Sequence, residues 1–218
     1  MTLFITFEGG EGSGKSFHSR KLYRKLMELS VPAILIHEPG GTTLGDKVRH
    51  LLKQSRQISI SPLSELLLFN VSRSQLVKDV IGPSLKEGKI VICDRYTDST
   101  IAYQSYGRGL EISIVKAINQ IATQDLTPDL TFLLDVPPEI GLSRKKAGAN
   151  DRFEMEDAVF HRKVRQGFLN LASEEPARWF VVDATLPLRE VNARIWDKVS
   201  QLLASHSIDV KSRPHYRD

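Results

Sequence analysis

Short apolar runs recur along the chain and alternate with segments that have helical periodicity. Each run has the length of a β-strand and is rich in β-branched or aromatic residues. The runs comprise residues 3–7, 33–36, 90–93, 130–136 and 179–182. Nearly continuous apolar runs of this kind are typical of strands that are buried on both faces of a parallel sheet.

Apolar positions between these runs repeat at the spacing of helical turns. They are Leu22, Leu26 and Leu29, then Ile114, Ile118 and Ile121, and finally Val191, Ile195, Val199 and Leu202. Strands that alternate with helices favour right-handed βαβ units, so the pattern predicts an α/β fold. Because no linker interrupts the pattern, we expect residues 1–204 to form a single domain. The polar segment 205–218 is expected to be a flexible tail.

The composition narrows the class of protein. Apolar residues make up 41% and charged residues 26% of the 218 residues, which is ordinary for a globular domain and excludes intrinsic disorder as the main description. Cys93 is the one cysteine, so an intrachain disulfide is impossible. No apolar run reaches the roughly 18 residues of a membrane span. The N-terminal residues resemble a strand rather than a signal peptide, and we expect a cytoplasmic protein.

The net charge of +4 is too small to indicate nucleic-acid binding, and we expect neither a nucleic-acid nor a membrane partner. Most of the surplus lies in one window, residues 144–165, which holds seven basic and four acidic side chains. A solvated helical face and a local anion site both fit such a window, and the charge pattern alone does not separate them.

Residues 9–16 match the pattern G-x-x-x-x-G-K-[ST] and lie between a predicted strand and a predicted helix. Glycines let the backbone amides of such a loop turn towards phosphate oxygens, and the N-terminus of the helix adds positive potential. The loop therefore predicts a nucleoside triphosphate site. Its residues are Gly9, Gly10, Glu11, Gly12, Ser13, Gly14, Lys15 and Ser16. We expect Lys15 to contact the β- and γ-phosphates and Ser16 to bind Mg²⁺.

A bound Mg²⁺ needs an acidic partner at the end of another buried strand. Asp94 and Asp135 both follow apolar runs and are both candidates. Asp94 is followed directly by Arg95, which would place a cation beside the metal carboxylate. An arginine at that position suits a second phosphate, so the sequence favours Asp94 as the metal ligand.

Several separate segments together resemble the thymidylate kinase family over nearly the whole chain up to about residue 204. These segments are the phosphate loop with its acidic Glu11, Glu38-Pro-Gly-Gly-Thr42 followed by Gly45 and Arg49, Phe69 with Arg73 and Gln75, Asp94-Arg-Tyr96, Ser99-Thr-Ile-Ala-Tyr-Gln104, and Arg144 with Asp151-Arg-Phe-Glu154. The resemblance implies a P-loop nucleoside monophosphate kinase fold with a five-stranded parallel sheet. It also implies a homodimer that transfers a phosphoryl group from ATP to dTMP with Mg²⁺.

The resemblance also implies roles for individual residues. Phe69 would stack on thymine and Arg73 would bind its edge, while Arg49 and Arg95 would hold the acceptor phosphate. Tyr103 would lie where a 2′-hydroxyl would clash. The remaining substrate-binding residues implied in this way are Glu38, Ser99, Thr100 and Gln104. The bond between Glu38 and Pro39 is expected to be cis.

The phosphate loop carries no arginine or lysine at its variable positions. In this respect the chain is similar to bacterial members, in which arginines of a lid supply charge in the transition state. The lid is expected at about residues 143–156, and the catalytic set would be Lys15, Arg95, Arg144, Arg152 and Glu11. His37 and Leu76 depart from the family's usual residues, so any role of those positions is left open.

Other P-loop classes fit less well. A regulatory GTPase needs an Asn-Lys-x-Asp motif, and no asparagine here is followed by lysine. A motor ATPase would be longer, and a non-catalytic binding protein would not need Arg95 together with the lid arginines. Another nucleoside monophosphate kinase is the nearest alternative, since only the resemblance at Phe69 and Arg73 favours thymine.

Overall fold

The computed structural model describes residues 2–54, 59–144 and 152–212, apart from the side chains of Gln54 and of residues 205–212. Five parallel strands form one sheet in the order β2-β3-β1-β4-β5. They are β1 (Leu3–Glu8), β2 (Ala33–His37), β3 (Ile90–Asp94), β4 (Leu130–Asp135) and β5 (Trp179–Asp183). Every predicted strand is confirmed, with bounds that differ from the apolar runs by no more than one residue.

Helices connect the strands. They are α1 (Lys15–Glu28), α2 (Thr43–Gln54), α3 (Pro62–Leu76), α4 (Gly82–Lys86), α5 (Thr97–Thr100), α6 (Ile112–Thr123), α7 (Pro138–Ser143), α8 (Ala158–Glu174) and α9 (Leu188–Ser212). Two π-helical segments, Val77–Ile81 and Ile101–Gly107, continue α3 and α5. None of the helices in the described ranges combines the length and the apolar character needed to span a membrane.

The core occupies both faces of the sheet. On one face, Phe7 and Phe132 pack with Leu26 of α1 and with Val191 and Ile195 of α9. On the other face, side chains of α3, α6 and α8 pack against β3, β4 and β5. Full burial of one such side chain stabilises the fold by roughly 1.5–3 kcal/mol. This two-sided burial explains why the strands have no polar alternation.

At two helices, some apolar residues that repeat at helical spacing are exposed and do not enter the core. Ile114 and Ile121 of α6 are exposed, at 48% and 78% of their surface, while Val115 of the same helix is fully buried. Leu29 is also half exposed, because α1 ends at Glu28 just before it. Apolar spacing alone therefore identified the helices correctly but did not show which face enters the core.

The last helix extends further than the sequence pattern indicated. α9 continues to Ser212 and so enters the segment 205–218 that was expected to be a tail. Residues 205–212 contain no proline or glycine, so nothing in their sequence interrupts the helix. Residues 213–218 lie outside the described residues, and a flexible end there stays a prediction.

The sheet brings the candidate chemistry to one edge. In the strand register, Phe7 of β1 is paired with Asp94 of β3, so both strands end at the same level. The phosphate loop leaves β1 at this edge, and Arg95 leaves β3 beside it. Ligands of open parallel sheets bind outside the carboxyl ends of the strands, and the candidate site lies there.

Candidate functional site

The phosphate loop adopts the backbone geometry that its glycines allow. Gly9, Gly12 and Gly14 all have positive φ angles, of 139°, 68° and 91°. A Cβ atom on Gly12 would lie 1.8 Å from the carbonyl oxygen of Gly141, so only glycine fits there. The loop therefore packs directly against α7 while it curves around the N-terminus of α1.

Lys15 lies folded over its own loop. Its Nζ donates to the carbonyl oxygens of Gly9 and Gly10 at 2.9 and 2.7 Å and to the Ser13 hydroxyl at 3.1 Å. Burial, and after it the charge of Arg95, lowers the pKa of Lys15 to about 8. The ammonium group is thus held in the loop by neutral acceptors, which phosphate oxygens could replace with a stronger, charge-assisted interaction.

The two residues expected to hold Mg²⁺ are in direct contact. The hydroxyl of Ser16 donates to the Oδ2 atom of Asp94. Asp135, the other candidate, instead accepts two hydrogen bonds from Arg165, at 2.7 and 2.8 Å. The structure therefore separates the two aspartates: Asp94 faces the phosphate loop, and Asp135 forms an ion pair with α8.

Hydroxyl and carboxylate oxygens are the donors that Mg²⁺ prefers. Within the described ranges, no three His, Cys, Asp or Glu side chains cluster as a metal cage. Two protein oxygens suit Mg²⁺ nonetheless, because this ion usually keeps several waters and takes its remaining ligands from substrate phosphates. Ser16 and Asp94 therefore fit the ion.

Arg95 connects the phosphate loop to the neighbouring pocket. It has a φ of 72°, which is uncommon for a residue other than glycine. Its guanidinium donates to the Gly9 carbonyl at 3.1 Å, to Glu11 at 2.6 Å and to the Tyr103 hydroxyl at 3.2 Å. The Tyr103 hydroxyl in turn donates to Glu11 at 2.8 Å. Glu11 and Arg95, predicted as site residues from separate motifs, are thus in contact.

Glu8 supports the turn that carries Arg95. Its side chain is fully buried, and its Oε1 accepts from the backbone amides of Tyr96 and Ser99 at 2.7 and 3.3 Å. Burial, followed by the nearby charge of Asp98, raises the pKa of Glu8 to about 8. The residue lies at the end of β1, so it ties the start of the phosphate loop to the turn after β3.

A pocket of about 470 Å³ lies beside Arg95. Nine substrate-binding residues were predicted, and every one of them except Arg49 lines this pocket. The eight are Glu38, Phe69, Arg73, Arg95, Ser99, Thr100, Tyr103 and Gln104. Phe153 of the lid segment closes one side of the pocket and packs against Phe69, with 5.8 Å between the two ring centres. An aromatic wall with convergent polar groups is typical of a small-molecule site.

Two polar atoms of this pocket's lining suit a polar ligand. Among the described residues, the buried Oγ1 of Thr100 and Oε1 of Glu38 have no hydrogen-bond partner. A buried polar atom without a partner costs roughly 1–3 kcal/mol. A polar ligand that offered donors to these atoms would recover that free energy.

Arg73 is held rigidly in the same pocket. Its Nε donates to Glu38 at 2.8 Å, one terminal nitrogen donates to Asn119 at 2.8 Å, and the other donates to the Tyr96 carbonyl at 3.1 Å. Only 1% of its surface is exposed. A bond from Arg73 to a base edge would therefore be shared with, or exchanged for, one of these contacts.

A wider cleft of about 1370 Å³ adjoins the pocket. It is lined by the phosphate loop together with Arg49, Asp94 and Arg144, and it shares Glu11, Glu38, Lys53 and Arg95 with the smaller pocket. Two anionic ligands could therefore lie on either side of Arg95. Lys53 of α2 faces both spaces and was not identified from the sequence.

The two lid arginines occupy different places. Arg144 lies at the cleft, where it donates to the carbonyl oxygen of Ala184 at 3.0 Å and approaches that of Gly12 at 3.5 Å. Arg152 instead pairs with the buried carboxylate of Glu65. The structure thus does not bring Arg152 to the phosphate loop, and its catalytic role stays a prediction. Lid residues 145–151, which include Asp151, lie outside the described residues.

The bond between Glu38 and Pro39 is cis, as the resemblance implied. Arg49 donates to the carbonyl oxygen of Pro39 at 2.9 Å, which fixes this arginine at the mouth of the cleft. His37 contacts the same carbonyl through Nδ1 at 3.2 Å. His37 therefore has a structural contact in the second loop.

Comparison with known proteins gives one consistent result. A sequence profile described as Thymidylate kinase matches residues 7–195. The chain is 54% identical over 203 residues to a thymidylate kinase of Dehalococcoides mccartyi, with 93% of this chain and 98% of that protein covered. It is 47% identical over 200 residues to one of Deinococcus radiodurans, covering 91% and 97%. The crystal structure of a thymidylate kinase from Ehrlichia chaffeensis superposes with a TM-score of 0.75 at 36% identity, covering 91% of this chain and 98% of that one.

Proposed function

The chain belongs to the thymidylate kinase family, and from this premise we propose that it transfers a phosphoryl group from ATP to dTMP, giving ADP and dTDP for dTTP synthesis. The observation that carries the proposal is the pair of adjoining cavities that share Arg95. One is built on a triphosphate-binding loop and the other has an aromatic wall and buried polar groups. Donor and acceptor would meet between them.

The acceptor needs no general base. The second pKa of a phosphate monoester is about 6, so the acceptor is largely dianionic at neutral pH. The barrier lies in bringing two polyanions together and in stabilising the charge of the transferring group. Arg95 lies where the two cavities meet, and Lys15, Arg49 and Arg144 line the cleft. These cations would offset that repulsion.

Thymine would lie on Phe69, between this ring and the groups at the bottom of the pocket. Arg73, held by Glu38 and Asn119, would face the edge of the base. The phenol of Tyr103 is fixed by Arg95 and Glu11. It would exclude a ribose 2′-hydroxyl, and so favour deoxynucleotides.

Mg²⁺ would be held by Ser16 and Asp94. The ion would supply positive charge at the donor phosphates. The contribution of this chain is to keep the Asp94 carboxylate directed at the loop, which its contact with the Ser16 hydroxyl already does.

The lid would exclude water from the site, since otherwise ATP would be hydrolysed. Arg144 is already at the cleft. Arg152 would have to leave Glu65 to contribute charge to the transferring group.

We also infer a homodimer that works in the cytoplasm. Leu63, Leu67 and Val71 of α3 follow one another at four-residue spacing, and between 45% and 49% of each side chain is exposed. Residues at this spacing share one face of a helix, and an exposed apolar face of this kind is typical of an interface. Since α3 also carries Phe69 and Arg73, the interface would support the base pocket from behind.

A panel assay tests the activity directly. ADP release would be followed by a coupled assay with dTMP, dUMP, dCMP, AMP and GMP as acceptors. We expect dTMP to have by far the highest kcat/KM. Turnover of AMP or GMP without turnover of dTMP would favour a different monophosphate kinase, and ADP release without any acceptor would indicate a P-loop NTPase.

A further inference from the structure

Glu65 is a buried carboxylate that neither the phosphate chemistry nor the lid requires. It lies in the first turn of α3, one helical turn before Phe69, and only 1% of its surface is exposed. Its Oε1 accepts from Gln104 Nε2 at 2.7 Å and from Arg108 Nε at 3.2 Å. Its Oε2 accepts from Arg108 at 3.3 Å and from Arg152. The carboxylate therefore lies at the back of the base pocket, behind Gln104.

The two arginines fix the hydrogen-bonding character of Glu65. A guanidinium can only donate, and each Glu65 oxygen accepts from at least one guanidinium nitrogen. Both oxygens are therefore acceptors, and the side chain has no proton to offer to Gln104. Only the amide nitrogen of Gln104 can face it. The two acceptor oxygens of Glu65 thus determine the orientation of the Gln104 amide.

This orientation decides what Gln104 offers to the pocket that it lines. One N–H of its amide is taken by Glu65, which leaves the second N–H and the carbonyl oxygen for a ligand. A carbonyl acceptor beside an N–H donor matches the imide edge of thymine, where the N3–H donor lies beside a carbonyl acceptor. Cytosine has an acceptor at N3 and a donor amino group beside it, so it would need the flipped amide.

We propose that Glu65 is a specificity-determining positioning residue, which holds the Gln104 amide in the orientation that accepts thymine and rejects cytosine. The inference rests on the proposed dTMP kinase activity. Arg108 stabilises the arrangement from the other side, because it donates to Glu65 and Glu156 and stacks on Phe160 with 4.8 Å between guanidinium carbon and ring centre. Glu65 acts only through Gln104 and touches no substrate.

The variant Glu65→Gln tests the inference, because its amide has the shape of the carboxylate but can donate as well as accept. Gln104 could then turn either way. An amide that is free to turn either way holds the thymine-accepting orientation about half of the time, so we expect the KM for dTMP to rise about twofold, with kcat unchanged. The ratio of kcat/KM for dTMP over dCMP should fall by at least the same factor. Glu65→Asp, which can only accept, is the matched control and should keep the ratio even if its KM rises.

A double-mutant cycle separates this role from a structural one. In a Gln104→Ala background, the change Glu65→Gln should leave both the KM for dTMP and the dTMP/dCMP ratio unchanged. An equal loss in that background, or an unaltered ratio in the single variant, would overturn the proposal. A fall in kcat with unchanged KM would mean that Glu65 acts on the lid through Arg152, which also contradicts it.

A measurement on the unmodified chain reports on the Gln104 amide directly and needs no Glu65 variant. With ¹⁵N-labelled glutamine, one side-chain proton of Gln104 should be protected from exchange before dTMP is added, and the second should become protected afterwards. Gln104→Ala identifies the signal. Equal, fast exchange of both protons without dTMP would refute the fixed orientation. Wild-type turnover of dTMP in the same sample keeps this outcome distinct from a failure of the proposed function.

Discussion

The carboxyl group of Glu8 and the hydroxyl of Ser99 share a hydrogen bond of 2.5 Å. The two residues are 91 positions apart, and the bond joins the last residue of β1 to the helix that follows Arg95. Because the same carboxyl group accepts from the Tyr96 amide, it closes the turn in which Arg95 adopts its positive φ. Arg95, which lines both cavities, is thus positioned by a buried acid.

Glu8 makes stability depend on pH in a predictable direction. Its pKa is about 8 in the folded chain, against 4.5 for an exposed glutamate, so between these values the folded state binds the extra proton. The free energy of unfolding should therefore fall as pH rises from 4.5 to 8, by up to about 1.4 kcal/mol per pH unit, and level off above. Glu8→Gln should flatten this slope in melting curves recorded between pH 6 and 8. The exposed Glu28→Gln is the control, and an unchanged slope in Glu8→Gln would contradict the assignment.

Lys15→Ala should fold normally and lose phosphoryl transfer. Among the described residues, the hydrogen bonds of the Lys15 ammonium all go to its own loop, so its removal should change the melting temperature little. Loss of the charge beside the donor phosphates should lower kcat by at least a hundredfold, roughly 2.7 kcal/mol of transition-state stabilisation. Lys21→Ala, on the exposed side of the same helix, should keep full turnover. A stable Lys15→Ala variant with near-normal kcat would refute the role of the loop.

The fold could be predicted from the sequence because its signals are local. Each strand is a continuous apolar run, and burial on both faces of a parallel sheet produces that pattern directly. The phosphate loop is equally local, since its glycines are required by positive φ angles within a few residues. Asp94 and Ser16, far apart in sequence, could be paired in advance because parallel strands end at one edge.

The parts that the sequence did not predict depend on long-range contacts. Glu65 lies in an ordinary helical pattern, and its importance follows only from Gln104 and Arg108 packing against it. Asn119 likewise has no motif, although it holds Arg73. Phe153 lies within a recognised motif, but its place in the wall of the base pocket follows from its long-range contact with Phe69. Such pairings carry no periodic signal in a single sequence.

Arg144 and Arg152 should affect turnover more than dTMP affinity. Their charges would be needed as the lid closes on the transferring group, an interaction that belongs mainly to the transition state. We expect Arg144→Ala and Arg152→Ala each to lower kcat tenfold or more, with less than about a threefold change in the KM for dTMP. Arg162→Ala serves as control, because that arginine is exposed and pairs with the exposed Glu139. If Arg152→Ala raises the KM for dTMP while kcat stays intact, the residue belongs to the Glu65 cluster and not to the lid chemistry.

Leu67→Glu should convert the chain to a monomer and weaken dTMP binding. A stable dimer buries about 800 Å² of each subunit. A charge at the centre of the apolar α3 face would lose its hydration in the dimer and gain no opposite charge there, so it would disfavour association. Sedimentation equilibrium at micromolar concentration should give twice the mass of 24.5 kDa for the wild type and the single mass for the variant. Because Phe69 and Arg73 lie on the same helix, we expect the KM for dTMP to rise several-fold in the monomer. Met27→Glu makes the same change at an equally exposed site on α1 and should leave both mass and KM unaltered. A wild-type monomer, or a dimeric Leu67→Glu, would show that this face is not the interface.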